Sequence, residues 1–172
     1  MVEVIEKQDC PVCKQKTVQL IQEEREVPHF GKCYLMSMNC IECLYHSSDI
    51  EVEKKDNPKK YEFTVEKKQD LNVRVIKSGE ATVKIPQLRM SVTPGPSSIG
   101  YISNIEGVLR RFKKIVEDQR DTAEDPETKK TAKNLLKKFW KAECGELALK
   151  IVIEDPSGNS AIISDKAVVS KK

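Results

Sequence analysis

Four of the six cysteines stand in two C-x-x-C pairs, Cys10-Pro11-Val12-Cys13 and Cys40-Ile41-Glu42-Cys43, with 26 residues between the pairs. A C-x-x-C turn lets two thiolates reach one ion, and two such turns supply the four sulfur ligands of a closed tetrahedral Zn²⁺ site. The spacing therefore predicts one zinc ion held by Cys10, Cys13, Cys40 and Cys43. Because four thiolates leave no open coordination position, we expect the metal to hold structure rather than to activate water.

Two other kinds of site remain as alternatives for these cysteines, an iron site of the rubredoxin type and a thioredoxin-type redox pair. The redox pair is disfavoured because no βαβ pattern surrounds either motif. Cys33 lies seven residues before Cys40 and could compete as a ligand, but we favour small buried core thiols as the interpretation of both Cys33 and Cys144. His46 could replace a sulfur ligand, but a surface or hydrogen-bonding histidine is the favoured interpretation, and the same holds for His29.

The residue types needed for catalysis are sparse. No histidine follows His46, so a Ser-His-Asp or Cys-His set would have to use the two N-terminal histidines. The sequence contains neither a G-x-x-x-x-G-K-[ST] phosphate loop nor a G-x-G-x-x-G fingerprint. We therefore predict that the chain is not an enzyme.

The segments around the cysteines favour strands. Apolar residues at 18–21 and 34–36 could pair as the two strands of a zinc ribbon that has a long hairpin loop. The charged run 51–60 is broken by Pro58, which indicates a junction. The sequence therefore predicts a four-cysteine zinc-ribbon finger over residues 1–50 and a second unit over residues 51–172.

Alternating polarity dominates the first half of the second unit. Strand-like segments cover 63–65, 71–75, 83–85 and 88–92. Two further strands are predicted at 147–153 and 161–163, the second returning after the Asp155-Pro156-Ser157-Gly158-Asn159 turn. The fold class is therefore mainly β.

A helical hairpin interrupts these strands over residues 103–145. The period changes to about 3.6 between Ile105 and Val116, and Ser103 with Glu106 has the pattern of a capping box. The second helix is predicted to begin with Asp125 as its N-cap and to stop at Gly145. Its expected buried residues are Leu135, Leu136, Phe139 and Trp140.

The charge balance bears on partners. The 30 Lys and Arg residues nearly balance the 27 Asp and Glu residues, so a net charge of +3 does not give the strong basic excess of a protein that lives on phosphate backbones. The helix lysines could contact phosphates, but solvated helix faces are favoured, and an aromatic content of 5% offers little for base stacking. The 172-residue sequence contains no apolar stretch long enough to span a membrane and no signal-peptide pattern. We therefore expect a cytoplasmic protein that does not associate with a membrane.

Several segments of the chain together resemble the Zpr zinc-finger family, both in their residues and in their order along the chain. They are the two cysteine pairs, Asp70-Leu71-Asn72-Val73-Arg74-Val75-Ile76-Lys77-Ser78, residues 81–88, Pro94-Gly95, Ile105-Glu106-Gly107 and residues 154–160. The resemblance covers nearly the whole chain. Eukaryotic members carry two tandem copies of finger plus β domain, so this chain is similar to the single-module archaeal form.

The resemblance implies a double-stranded β-helix or jelly-roll-like β domain with an inserted helical hairpin. It also implies a role as a dedicated chaperone or binding factor for the tRNA-delivering translation elongation factor GTPase, through its alpha subunit. Where the family has two threonines before the Ile/Val-Glu-Gly, this chain has Ser103-Asn104. Glu106 and Gly107 admit a structural role in the helix start as well as a partner contact.

Two functions from different classes follow. The favoured one is a non-enzymatic protein-interaction module whose partner surface includes apolar residues of the ribbon and the start of the first helix. Its candidate contact residues are Tyr34, Met36, Leu44, Tyr45, Ser103, Glu106 and Gly107. The alternative is a nucleic-acid-binding zinc ribbon in transcription or translation.

Overall fold

The computed structural model describes residues 2–27, 31–53 and 57–171, which form two groups of strands and a pair of helices. The strands are β1 (Val2–Gln8), β2 (Val18–Val27), β3 (Gly31–Cys40), β4 (His46–Val52), β5 (Lys59–Val65), β6 (Arg74–Lys77), β7 (Thr82–Ile85), β8 (Met90–Val92), β9 (Tyr101–Asn104), β10 (Leu149–Asp155), β11 (Ala161–Ile163) and β12 (Val168–Lys171). The helices are α1 (Ile105–Thr122) and α2 (Pro126–Glu143). This is the predicted mainly β fold with two helices.

The finger sheet is formed by β1, β2, β3 and β4, in that order, with antiparallel neighbours. The predicted ribbon strands are present, but the predicted long hairpin loop is wrong. β2 and β3 pair over ten residues each, from Val18 opposite Cys40 to the pair formed by Val27 and Gly31, so only residues 28–30 separate them. Residues 22–26 of β2 are all polar, a composition that suits a strand in contact with solvent. An ion pair of 2.8 Å joins Lys32 Nζ to Glu24 Oε1 across the strands.

The β body is formed by the remaining strands and the two helices. One sheet has the order β12-β5-β10-β7-β8 and the other has the order β11-β6-β9. Its core takes residues from both sheets and both helices, and Phe63, Phe139, Leu109 and Ile151 are fully buried in it. The division into a finger and a second unit at residue 50 stays a prediction, and β4 continues to Val52.

Three details of the β body differ from the sequence prediction. Leu71 and Leu88 lie in short 3-10 helices, Lys68–Asn72 and Pro86–Leu88, instead of strands. The strands β9 and β12 were not foreseen. The strand at 161–163 does not return to β10 but pairs with β6, because the turn that begins at Asp155 carries the chain from one sheet to the other.

The two helices begin and end at recognisable caps. Asn104, not Ser103, is the N-cap of α1, because its Oδ1 accepts a hydrogen bond of 2.8 Å from the Gly107 N–H. Asp125 caps α2 as predicted, accepting a bond of 2.8 Å from the Thr128 N–H, and Gly145 follows the helix with a φ of +80°. No helix in the described part of the chain is both long and apolar enough to cross a lipid bilayer.

The predicted burial of Trp140 is wrong. The inner face of α2 consists of Ala132, Phe139 and Ala142, all almost fully buried, while Trp140 is 55% exposed. Adjacent helical residues point about 100° apart, so a side chain next to Phe139 in sequence turns away from the core. Leu135 and Leu136 are half-buried against the core, as the pattern indicated.

Candidate metal centre

The four predicted ligands meet at one end of the finger sheet. Their Sγ atoms all lie within 4.8 Å of one another, with Cys10 and Cys43 separated by 3.6 Å and Cys13 and Cys40 by 3.7 Å. A tetrahedral zinc ion with bonds of about 2.3 Å requires sulfur–sulfur separations of about 3.8 Å. The donor set and its spacing therefore fit one zinc ion.

Two turns of similar geometry present the cysteines. Cys10 follows β1 and Cys40 ends β3, and each begins a C-x-x-C turn. The Cys10 N–H donates to the Gln15 carbonyl at 2.8 Å, and the Cys40 N–H donates to the Tyr45 carbonyl at 2.8 Å.

The residue after each second cysteine is left-handed, Lys14 with a φ of 61° and Leu44 with a φ of 58°. This reversal turns the chain so that the carbonyl of the following residue, Gln15 or Tyr45, accepts the N–H of the first cysteine. We call the two turns, residues 10–14 and 40–44, the knuckles.

Hydrogen-bond donors surround two of the sulfurs. The Val12 N–H lies 3.4 Å from Cys10 Sγ, and the Thr17 hydroxyl lies 3.2 Å from Cys40 Sγ. The backbone N–H of Cys43 and the Thr17 hydroxyl together lower the pKa of Cys40 to about 6. Burial raises the pKa of Cys10, but the backbone N–H groups of Cys13 and Val12 outweigh it, so the pKa is lowered overall. These two sulfurs are prepared to act as thiolate ligands.

Crowding of the sulfurs has the opposite effect on Cys43. The backbone N–H of Tyr45 works to lower its pKa, but burial and the neighbouring sulfurs of Cys40, Cys10 and Cys13 raise the pKa to about 12. Four thiolates at this spacing repel one another unless a cation lies between them. The arrangement therefore suits a divalent ion and explains why the centre can hold structure.

The apolar support of the centre is small. Cys10, Val18 and Cys40 are its buried residues, and Leu20 and Tyr45 are among the half-buried side chains that pack on them. The small size of this cluster indicates that the order of the two cysteine turns depends on a bound metal ion.

The described cysteines and histidine outside the cluster differ in their burial and in their contacts. Cys33 is fully buried, as predicted, and burial raises the pKa of its thiol. Cys144 is exposed, so its predicted burial is wrong, because it follows the last turn of α2 on the solvent side. The His46 Nδ1 lies 2.6 Å from Asn39 Oδ1 on the surface, the favoured hydrogen-bonding role. His29 lies outside the described residues.

The seven predicted partner-contact residues do not form one surface. Leu44 is 83% exposed on its knuckle, whereas Tyr45 packs against the cysteine cluster. Tyr34 and Met36 lie along β3, six and four residues before Cys40. Residues 103, 106 and 107 lie at the start of α1 in the β body. A role in partner contact stays a prediction for all seven.

The finger has two exposed apolar features, and sequence reasoning, which had pointed to Ile41, Met36 and Met38, missed Val12 and the existence of a groove. Val12 and Ile41 are 60% and 75% exposed on the knuckles, beside Leu44. Their signal was present in the sequence, since the inner positions of C-x-x-C turns point away from the metal.

The second feature is a shallow groove of about 280 Å³ on the finger sheet, whose apolar lining includes Ile5, Leu20, Met36 and Met38. Cross-strand register places Ile5, Leu20 and Met38 side by side on one face.

Comparison with known sequences gives a consistent result over most of the chain. Residues 69–171 match the family model described as the ZPR1 jelly-roll domain. An uncharacterized ZPR1-like protein of Pyrococcus horikoshii is 38% identical over 168 residues, which cover 95% of this chain and 75% of the relative. A second uncharacterized ZPR1-like protein, from Methanocaldococcus jannaschii, is 36% identical over 164 residues, covering 95% of this chain and 83% of the relative.

A eukaryotic relative is also similar. The zinc finger chaperone zpr1 of Schizosaccharomyces pombe is 30% identical over 142 residues, which cover 79% of this chain but only 30% of the relative. The chain thus corresponds to one part of that longer protein and to most of the two archaeal ones.

Proposed function

The chain belongs to the ZPR1 zinc-finger family, and from that premise we propose that it is a non-enzymatic chaperone or binding factor for the tRNA-delivering translation elongation factor GTPase. On this proposal the protein is cytoplasmic, and residues 1–50 form a finger whose zinc ligands are Cys10, Cys13, Cys40 and Cys43. The choice of client follows from the family resemblance. A general chaperone role is supported by the similarity to the fission yeast relative, which is a zinc finger chaperone.

The observation that carries the proposal is the apolar exposure of the knuckles. Val12, Ile41 and Leu44 are 60%, 75% and 83% exposed, and all three stand within two residues of a cysteine of the metal centre. We call these three side chains the knuckle patch. Large apolar side chains held in water by a rigid scaffold are typical of protein-interaction surfaces. The metal fixes the backbone beneath them, so little conformational entropy is lost when a partner covers them.

The groove on the finger sheet offers a second apolar surface. Its two methionines, Met36 and Met38, are flexible and polarizable, which suits contact with a client whose structure is incomplete. Together the groove and the knuckle patch offer a binding surface without any need for turnover.

The charge of the finger disfavours the alternative of a nucleic-acid-binding ribbon. Residues 1–50 contain five Lys and Arg residues against eight Asp and Glu residues, so the finger has a negative formal charge. A negatively charged module is repelled by phosphate backbones. The finger is therefore better suited to a protein partner.

Titration calorimetry of the zinc-loaded protein against the elongation factor of the same organism tests the proposal. The titration is made with GDP, with a GTP analogue and without nucleotide. We expect binding in at least one state and a loss of at least tenfold in affinity for Leu44→Asp, because a charge then replaces an apolar contact.

The matched control is Val168→Asp, at an apolar position of the β body that is 62% exposed. Both variants should retain one zinc ion per chain. The proposed client would be refuted if the folded elongation factor failed to bind in all three nucleotide states and the denatured factor also failed to bind during its refolding. Equal losses for the two variants would refute the knuckle patch.

A further inference from the structure

The outer surface of α2 is strongly basic. The helix carries six lysines and two glutamates, a net charge of +4 in 18 residues, whereas the whole chain has a net charge of +3. All six lysines are exposed: Lys129, Lys130, Lys133, Lys137, Lys138 and Lys141. The finger and α2 therefore carry charges of opposite sign.

Four of these lysines form a continuous series at i, i+4 spacing, namely Lys129, Lys133, Lys137 and Lys141, which we call the lysine row. Like charges at this spacing face each other on successive turns and destabilise a helix. Among the described residues, no carboxylate lies within ion-pair distance of Lys133, Lys137 or Lys141. Repulsion between these lysines would be relieved by an anionic ligand that lies along the row.

On α1 some cations are paired and others are not. Arg110 pairs with Glu106 at 2.8 Å, and Lys113 pairs with Glu143 at 3.1 Å, whereas Arg111 and Lys114 form no ion pair with a carboxylate among the described residues. The lysine row differs from α1 in carrying four like charges in series along one face of the helix.

Trp140 lies beside the lysine row. It is three residues from Lys137 and seven from Lys133, so the three side chains share one face of the helix. It is the one tryptophan of the chain, and it is 55% exposed.

The indole borders a groove of about 420 Å³ between the helices and the first 3-10 helix. Leu71 and the polar side chain of Asn72 line the same groove, and so do both α1 ion pairs. An apolar ring, an amide and neutralised charges at one position suit a planar heterocycle.

We propose that the lysine row and Trp140 form a binding surface for single-stranded nucleic acid. The lysines neutralise successive phosphates, and the indole stacks on an unpaired base that enters the groove. From Lys129 to Lys141 the row is about 18 Å long, which corresponds to about five stacked nucleotides. A base within a duplex could not reach the indole face, so an unpaired strand is the ligand.

The position of the lysine row separates it from the knuckle patch, whereas Glu106, a predicted partner contact, lines the groove beside Trp140. The lysine row lies on the helical hairpin of the β body, and the knuckle patch lies on the negatively charged finger. An acidic polypeptide would also be attracted by the lysines, and an indole can contact a protein as well as a base. The combination of a groove that holds an aromatic ring and an amide with a row of cations about as long as five nucleotides favours a single strand over an acidic polypeptide.

The single tryptophan makes the test direct. The zinc-loaded full-length protein is titrated with oligouridylate and oligothymidylate of 12 nucleotides, with Trp140 fluorescence and the anisotropy of a labelled strand as readouts. We expect quenching of Trp140 on binding. If four phosphates are neutralised, the affinity should fall with salt with a logarithmic slope of about −3.

Two variants divide the surface into its parts. Lys133→Glu/Lys137→Glu should lower affinity at least tenfold and make the salt slope shallower by about 1.4, since two phosphate contacts are lost. Trp140→Leu should lower affinity at least fivefold and leave the salt slope unchanged, since stacking involves no counterion release. Should the glutamate variant fold poorly, Lys133→Gln/Lys137→Gln removes the same contacts together with the repulsion within the row.

The control is Lys16→Glu/Lys171→Glu, which changes the net charge equally at exposed positions on the finger and the last strand. An equal loss for this control would show a general charge effect and overturn the proposal. Failure to bind either oligonucleotide at 50 mM salt would also overturn it. Equally tight binding of polyglutamate without quenching would assign the lysine row to an acidic protein instead.

Discussion

The carboxylate of Asp49 accepts a hydrogen bond of 2.8 Å from the backbone N–H of Gly100, and this bond joins the last strand of the finger sheet to the β body. The same Oδ1 atom accepts the Ile50 N–H at 2.8 Å. Gly100 is buried, and a Cβ atom there would lie 2.8 Å from Ile50 Cγ2 and 2.9 Å from the Ile50 carbonyl oxygen. A residue without a side chain is therefore what lets β4 approach β9.

Gly100→Ala is predicted to destabilise the protein by about 1–3 kcal/mol, because the backbone carbonyl of Ile50 cannot move aside without shifting β4. Urea denaturation measures the effect. Gly95→Ala is the matched control, since a Cβ atom at that position meets nothing within 4 Å. If the two alanine variants have equal free energies of unfolding, the close approach of the finger to the β body does not constrain position 100.

Asp155 should make the stability of the β body depend on pH. Its buried carboxylate accepts bonds from the Ser157 N–H at 2.9 Å, the Ser157 hydroxyl at 2.7 Å and the Ser160 hydroxyl at 2.5 Å. Burial raises the pKa of Asp155, but these donors, led by Ser160, outweigh it, so the pKa lies below its usual range. A carboxyl group whose pKa is lowered by folding stabilises the protein at pH values above its pKa in the unfolded chain, which is near 4. This stabilisation is lost as the pH falls below that value.

Asp155→Asn is therefore predicted to cost about 3 kcal/mol at pH 7, because hydrogen bonds to a charged acceptor are lost in the interior. The difference from the wild type should narrow as the pH falls below 4, since the wild-type carboxyl then becomes protonated. Denaturation curves at several pH values measure this, with Asp165→Asn as the exposed control. A difference that is constant with pH would exclude the carboxylate as the source.

The sequence predicted those features that depend on residue type and spacing alone. The C-x-x-C pairs required four sulfurs at one point, and Asp125-Pro126 and Gly145 marked the limits of α2. Ser103 was misjudged as the N-cap because Ser103 and Asn104 have equal capping chemistry, and the choice depends on where β9 ends.

The predictions that were wrong concern features that depend on three-dimensional packing. A pattern of apolar residues on α2 could not show how wide the buried stripe is, so Trp140 was assigned to the core. The pairing of β11 with β6 could not be foreseen either. A turn sequence indicates a reversal of the chain but does not show which strand the returning segment meets.

Removal of the metal is predicted to unfold the finger sheet and leave the β body folded. The finger has a small apolar cluster around Cys10, Val18 and Cys40, whereas the β body has a core of its own. Hydrogen exchange with a strong zinc chelator, or in Cys13→Ser, should show loss of protection in β2 and β3 but not in β10. Cys33→Ser serves as the control, because this buried thiol lies outside the cluster and the variant should retain zinc. Unchanged protection of β3 after zinc removal would contradict a structural role for the metal.

Gly107 is predicted to have a small structural role. A Cβ atom there would lie 2.1 Å from the Ser103 hydroxyl oxygen, which can rotate away, and 3.2 Å from Asn104 Oδ1. Alanine gains about 1 kcal/mol over glycine within a helix, so Gly107→Ala should remain within about 1 kcal/mol of the wild type. The double variant Ser103→Ala/Gly107→Ala should be more stable than Gly107→Ala alone. If Gly107→Ala folds normally and binds the elongation factor more weakly, position 107 contacts the partner.

Substitutions at the adjacent residues Leu44 and Tyr45 are predicted to have very different effects on zinc affinity. Leu44 is exposed and left-handed, and aspartate tolerates that conformation better than leucine, so Leu44→Asp should keep the finger stable and zinc-loaded. The Tyr45 side chain packs on the cysteine cluster, so Tyr45→Ala opens the apolar support of the metal and should weaken zinc binding at least tenfold. Competition with a chromophoric zinc chelator measures both variants. Equal zinc affinities would show that the packing of Tyr45 does not stabilise the centre, and Tyr45 would then join Leu44 as a usable probe of partner contact.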